Sequence, residues 1–239
     1  MSDQDTRTTS RTAPADGERL LSAVERIIAD RADLIARVAE ASVVTERIPH
    51  EPERVWLAAV AARLVTMHAR MAAVSGGATA LPSLFPGVGT AIAAAGTLAD
   101  MTLVLKFEVE MALCLTQLYG WDIEDPHERQ LAFLLASVET LTAHDRGSAV
   151  KHMVATEATA IWNYAPRQVS KALLTAMGRL TVRSVARGAL RLLPIVGVAV
   201  GAGVNQTLTR RVGKRCAREL DRRRFELTEA AAPRGDRKA

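Results

Sequence analysis

The side chains able to do chemistry are few, and their spacing does not converge on a reaction. The histidines are His50, His68, His127, His144 and His152. A metal ion needs three or four His, Cys, Asp or Glu donors at a workable spacing. The nearest grouping, His144-Asp145 with His152 and Glu157, is split by Gly147 and matches no ligand pattern, so surface or capping roles are expected there and no metal. Cys114 and Cys216 give no disulfide framework and read as reduced core or helix residues of a cytoplasmic protein. Cys114 has no histidine near it in sequence and no helix N-terminus to activate it. Ser75, Ser83 and Ser170 lack the sharp strand-to-helix turn of an activated serine. No catalytic residue is assigned, and whether the chain is an enzyme stays open.

Charge is more informative. From residue 158 to residue 218 there is no Asp or Glu, while eleven Lys and Arg side chains occur; the first 157 residues carry 21 acids against 14 bases. A formal net charge of +5 therefore hides a strongly polarised chain. Arg179, Arg183, Arg187 and Arg191 recur every four residues, which places them in one slowly drifting stripe of a continuous helix. Arg210, Arg211, Lys214 and Arg215 follow. Like charges at that spacing repel by a few tenths of a kcal/mol per pair, so an offsetting partner is expected. Two partners fit: the acidic first half of the chain, or an anionic membrane surface, where each cation contributes about 1 kcal/mol. Nucleic acid is not expected, because few aromatics accompany the charge and no finger, oligonucleotide-binding or helix-turn-helix signature occurs.

Two charge-free stretches flank this region. Residues 71–99 and 192–209 carry no formal charge, and LFPGVGTAI within the first matches LLPIVGVAV within the second at an offset of 108 residues. Nine positions do not establish a duplication. Gly89, Gly96, Gly197 and Gly201 offer almost no side-chain bulk, so neighbouring backbones can approach closely. The first stretch is broken by Gly76, Gly77, Pro82, Pro86 and Gly87 and ends at Asp100, and the second meets Asn205 and Gln206. A full span wants about 20 clean residues. Tightly packed central helices, or a shallow re-entrant hairpin, fit better than two ordinary spans. Asp100 must be solvated, paired or protonated, and it is expected to contact Asn205 or an arginine of the basic segment.

These residues must be held by helices. Alanine is abundant, strand-like alternation is scarce, and apolar residues repeat at three and four positions. Leu20 to Val38 reads as one helix of about six turns. A second carries Trp56, Val60, Leu64, Met67 and Met71 and is expected to stop before Gly76-Gly77. A third runs from after Pro86-Gly87 to Tyr119, with Gly120 as its stop. Asp125-Pro126-His127-Glu128 starts a fourth with a capping box. A fifth is expected near 149–163, a sixth from Pro166 with Val169, Leu173, Met177 and Leu180 inward, and a last from Pro194 to about Leu227. The expected fold is all-α, a multi-helix globular bundle with two central Gly/Ala-rich apolar helices. Residues 19–227 form one domain, between disordered tails at 1–18 and 228–239.

Pro86-x-x-Gly89, Asp100, Tyr119-Gly120, a capped helix containing Arg129, then Leu193-Pro194-x-x-Gly197, Gly201 and Asn205 occur in an order that resembles the EcsC protein family, over roughly residues 50–225. That family is named for a gene that shares an operon with an ABC transporter. The resemblance implies a helical domain with a membrane connection and no assigned reaction. Gly87-Val88-Gly89 lacks a preceding strand, and no G-x-x-x-x-G-K-[ST] run is present, so no nucleotide or other cofactor is expected.

Three readings follow. The first is a non-enzymatic, cytoplasmic, peripherally membrane-associated protein, an accessory factor linked to transport or secretion, whose partner is an anionic membrane surface or a membrane protein. The second is a soluble helical scaffold that meets a protein partner. The third is an unrecognised hydrolase.

Overall fold

The computed structural model describes residues 17–79, 90–144, 162, 164–188 and 197–227. These residues form seven helices and no strand: α1 (17–27), α2 (Arg31–Val44), α3 (Glu53–Thr79), α4 (Thr90–Leu118), α5 (Pro126–His144), α6 (Pro166–Gly188) and α7 (Gly197–Arg222), the last closing in a π-helical turn, Arg223–Leu227. Both expected tails, apart from Gly17 and Glu18, and the expected fifth helix, apart from Trp162, lie outside the described residues.

The first helix is two. Its apolar periodicity continues across Ile28 to Asp30, but the backbone breaks there, and the Ala29 N–H donates to Glu110 Oε1 at 2.7 Å. A partner distant in sequence thus captures an amide that a continuous helix would have used. The second helix also departs from expectation, because α3 runs through Gly76-Gly77 to Thr79. Glycine costs a helix about 1 kcal/mol against alanine, which lowers stability without dictating a stop.

The turn after α4 follows its sequence closely. Gly120 sits at φ 94°, with its N–H donating to the Gln117 carbonyl and the Trp121 N–H to the Thr116 carbonyl. This is the Schellman arrangement, in which a left-handed residue lets the last carbonyls be satisfied. Asp125 then caps α5 by accepting the His127 N–H at 2.9 Å. Glu128 does not complete a capping box; its carboxylate is committed to Arg223. At α6 the reciprocal bond is made by Gln168, whose Oε1 accepts the Ala165 N–H.

Helix α4 is the hub, packed by α2, α3, α5, α6 and α7, while α3 and α7 share the broadest interface. Every residue from Glu108 to Thr116 on α4 and from Leu131 to Leu141 on α5 is buried. A helix buried all round has neighbours on every side, so these two are the central helices. The expectation of two central Gly/Ala-rich apolar helices is therefore corrected. Among the described residues, one helix is long and apolar enough to cross a membrane, the Glu53–Val74 part of α3, and 44% of that window is buried. The helix carrying the second glycine segment, α7, fails that test because its second half is studded with Arg and Lys.

Gly213 explains how α7 lies so close to α3 and α4. A Cβ there would stand 2.8 Å from both Val65 methyls and 2.6 Å from Met111 Sδ. The methionine can move, but a β-branched valine is stiff. Gly213→Leu is expected to destabilise the fold by about 1–3 kcal/mol, despite leucine's better helix propensity. Urea unfolding of the two proteins measures the difference.

Candidate functional site: the two faces of the last helix

The sequence of α7 sorts itself by face. Asn205, Thr209, Val212, Gly213, Cys216 and Leu220 are buried, whereas Gly203, Thr207, Arg210, Arg211, Lys214 and Arg218 are exposed. Three- and four-residue steps separate the members of each set, so each occupies one side of the helix. The outward side carries four cations and no acid.

Three sets of contacts fix this rotation. Thr209 donates from the inward side to Glu108 Oε1 at 3.4 Å, and Thr140 of α5 donates to the other oxygen of the same carboxyl. Glu108 is fully buried, and burial pushes its pKa up to about 7, against the two hydroxyl hydrogen bonds that lower it. Nearly two turns beyond, Arg215 reaches Glu139 Oε2 at 3.1 Å. Burial raises the Glu139 carboxyl, with Arg215 opposing the shift. Arg215 is accordingly half-buried and turned toward α5, unlike its neighbours Arg211 and Lys214.

The far end of α7 is clamped hardest. Arg223 donates two bonds to Glu128, at 2.6 and 2.7 Å, and lies between the rings of Trp121 and Trp162 at 4.3 and 4.6 Å. A planar guanidinium suits both the bidentate carboxylate and stacking on indole. Arg224 bonds the Tyr119 carbonyl at 2.6 Å and Glu53 at 2.8 Å, and Arg54 of α3 bonds Asp221 and Glu226. The last turn is thereby tied to α3 and to the α4–α5 turn.

The residues singled out in the sequence fare differently. Tyr119 is buried, its hydroxyl pushed up to about 12 by burial. A Cβ on Gly120 would meet Arg224 Nη1 at 2.8 Å, so this glycine serves the clamp as well as the turn. Arg129 lies over the Phe133 ring. Asn205 is buried on α7. Arg179 is exposed on α6, as are Arg210, Arg211 and Lys214 on α7. Gly197, Gly201, Arg183, Arg187 and Asp100 lie within helices, with their side chains outside the described set; Pro86, Gly89, Arg191 and Pro194 lie outside the described residues altogether. The expected Asp100–Asn205 contact falls there too.

What sequence reading missed is the pair of acids inside α4. Glu110 is as deeply buried as Glu108, yet its carboxyl is held below the usual range: burial raises it, but bonds from Lys106, the Ala29 amide and Arg37 outweigh that. The visible signal is two acids in an otherwise apolar run, FEVEMALCL. His68, also buried, is lowered to about 4 by burial, so it is neutral at physiological pH. Both cysteines are buried free thiols, with Cys114 pushed up to about 12 and Cys216 well above its usual value by burial. Such thiols are poor nucleophiles near neutral pH. Among the described residues no group of three His, Cys, Asp or Glu could hold a metal ion.

An all-helical bundle with a buried acidic pin and a cationic outer face on its last helix is the class these features define. The chain matches the EcsC protein family over residues 56–225 and belongs to it. No curated protein and no solved structure matches it.

The buried acid gives a pH signature. Glu108 holds its proton to about pH 7 in the folded chain and to about 4.5 when unfolded, so the folded state binds the extra proton between these values. Relative to Glu108→Gln, the native chain is expected to be most stable below about pH 4.5 and to lose that advantage as pH rises to about 7. Urea titrations of both proteins across this range test it, and an advantage that grows with pH would refute it.

Proposed function

We propose that this protein is a non-enzymatic, peripherally membrane-associated member of its family that applies the outward face of α7 to an anionic membrane surface on the cytoplasmic side, as an accessory to transport or secretion. The observation carrying this reading is the acid-free face of Arg210, Arg211, Lys214 and Arg218 on a helix otherwise locked into the core. Because the helix that carries these cations is already folded and packed, contact adds no backbone-ordering cost to that of the side chains. Family membership and α3, the one helix among the described residues that is long and apolar enough to cross a membrane, agree with a membrane connection. Residues 19–227 act as one helical domain in this reading, with Gly120, Arg129 and Asn205 in structural roles.

Flotation with vesicles containing phosphatidylglycerol is the test. The native chain is expected to bind at low salt and to be released by high salt, as screening requires. Replacing Arg210, Arg211 and Lys214 together with Gln is expected to weaken partitioning on the order of 100-fold, from about 1 kcal/mol per cation. A chain that stays free of such vesicles at low salt would sink the proposal.

A further inference from the structure

A cavity of about 380 Å³ opens between α5 and α6, well away in sequence from the α7 face. One side of it is apolar, with Leu134, Val138 and Leu141 from α5 and Ala172 and Ala176 from α6, and Tyr164 and Gln168 add polar groups to the lining. The three α5 residues and Ala176 are buried, so the wall is a continuation of the core rather than a loose surface seam. Alanine at two successive turns of α6 leaves the space that larger side chains would fill.

The mouth has a different character. Lys171 and Arg179 are both exposed and both line the cavity, with Thr175 between them on the same side of α6. Among the described residues, none that lines the cavity is acidic. An apolar slot with cations at its rim matches a ligand that has a hydrocarbon body and a negative end, and the volume lies in the range of small-molecule pockets. Eight residues of helix separate Lys171 from Arg179, about 12 Å along the axis, too far for both to close readily on one compact dianion. A singly charged head that meets one cation at a time suits that spacing better.

We propose that the α5–α6 cavity binds one medium-chain fatty carboxylate, with its chain against Val138 and Ala176 and its carboxylate at the cationic rim. This site is separate from the membrane-facing side of α7, and it would give the protein a small-molecule ligand as well as a surface to attach to.

Calorimetric titration of the full chain with dodecanoate, kept below its micelle concentration, tests the proposal. One molar equivalent is expected to bind saturably, and dodecyltrimethylammonium, with the same chain and the opposite charge, is expected to bind at least about tenfold more weakly. Replacing Lys171 and Arg179 with Gln removes exposed charges only, and should weaken dodecanoate about tenfold or more. Ala172→Leu, at a half-buried position, should fill the slot and abolish binding while circular dichroism stays native. The α7 triple variant should bind dodecanoate as the native chain does, which separates this site from vesicle attachment. Equal affinity for the two amphiphiles, binding only above the micelle concentration, or full binding by a folded Ala172→Leu chain would each overturn the proposal.

Discussion

Carboxylates placed inside a helix that is buried on every side set terms for everything packed against it. Glu108 and Glu110 are two residues apart on α4, so they point to different sides of the helix. Each must find hydrogen bonds there, because an unpartnered buried charge costs several kcal/mol. Glu110 meets its need with two cations and the loose amide at the α1–α2 break, and stays ionised. Among the described residues Glu108 is met by two hydroxyls, and it holds its proton to about pH 7 instead. The positions of α1, α2, α5 and α7 around the hub are the positions from which those groups can reach.

The same constraint orients the outer surface. With Thr209 turned in to Glu108 and Gly213 pressed against Val65, the rotation of α7 is settled, and Arg210, Arg211, Lys214 and Arg218 are left outward. A small shift of the helix would drag a cation toward the core, at a large desolvation cost. Interior chemistry therefore specifies which charges the solvent sees, and the π-helical turn at Arg223–Leu227 locks the result by pairing the helix end with α3 and the α4–α5 turn.

Much of the helical outline was legible in the chain. Gly120 as a left-handed stop, Asp125 as a cap and the Val169-Leu173-Met177-Leu180 stripe each follow from local chemistry, which a sequence displays directly. What escaped reading depended on distant partners. The break at Ala29 is stabilised by Glu110, and Glu128 leaves its capping box for Arg223, 95 residues away. Gly/Ala content marks α7 for close packing without saying how many neighbours a helix has, and α5 rather than α7 shares the centre with α4. The logic that marks Asp100 as an acid in an apolar setting applies equally to Glu108 and Glu110, about two to three turns later.

Arg223 has one more property. It lies between two of the three tryptophans in the chain, with Trp121 just beyond the end of α4 and Trp162 just ahead of α6. Those two indoles share their immediate surroundings with a guanidinium that belongs to the π-helical turn closing α7. Intrinsic tryptophan emission is thus wired to the docking of α7, so the molecule carries its own optical gauge of whether its cationic helix is seated.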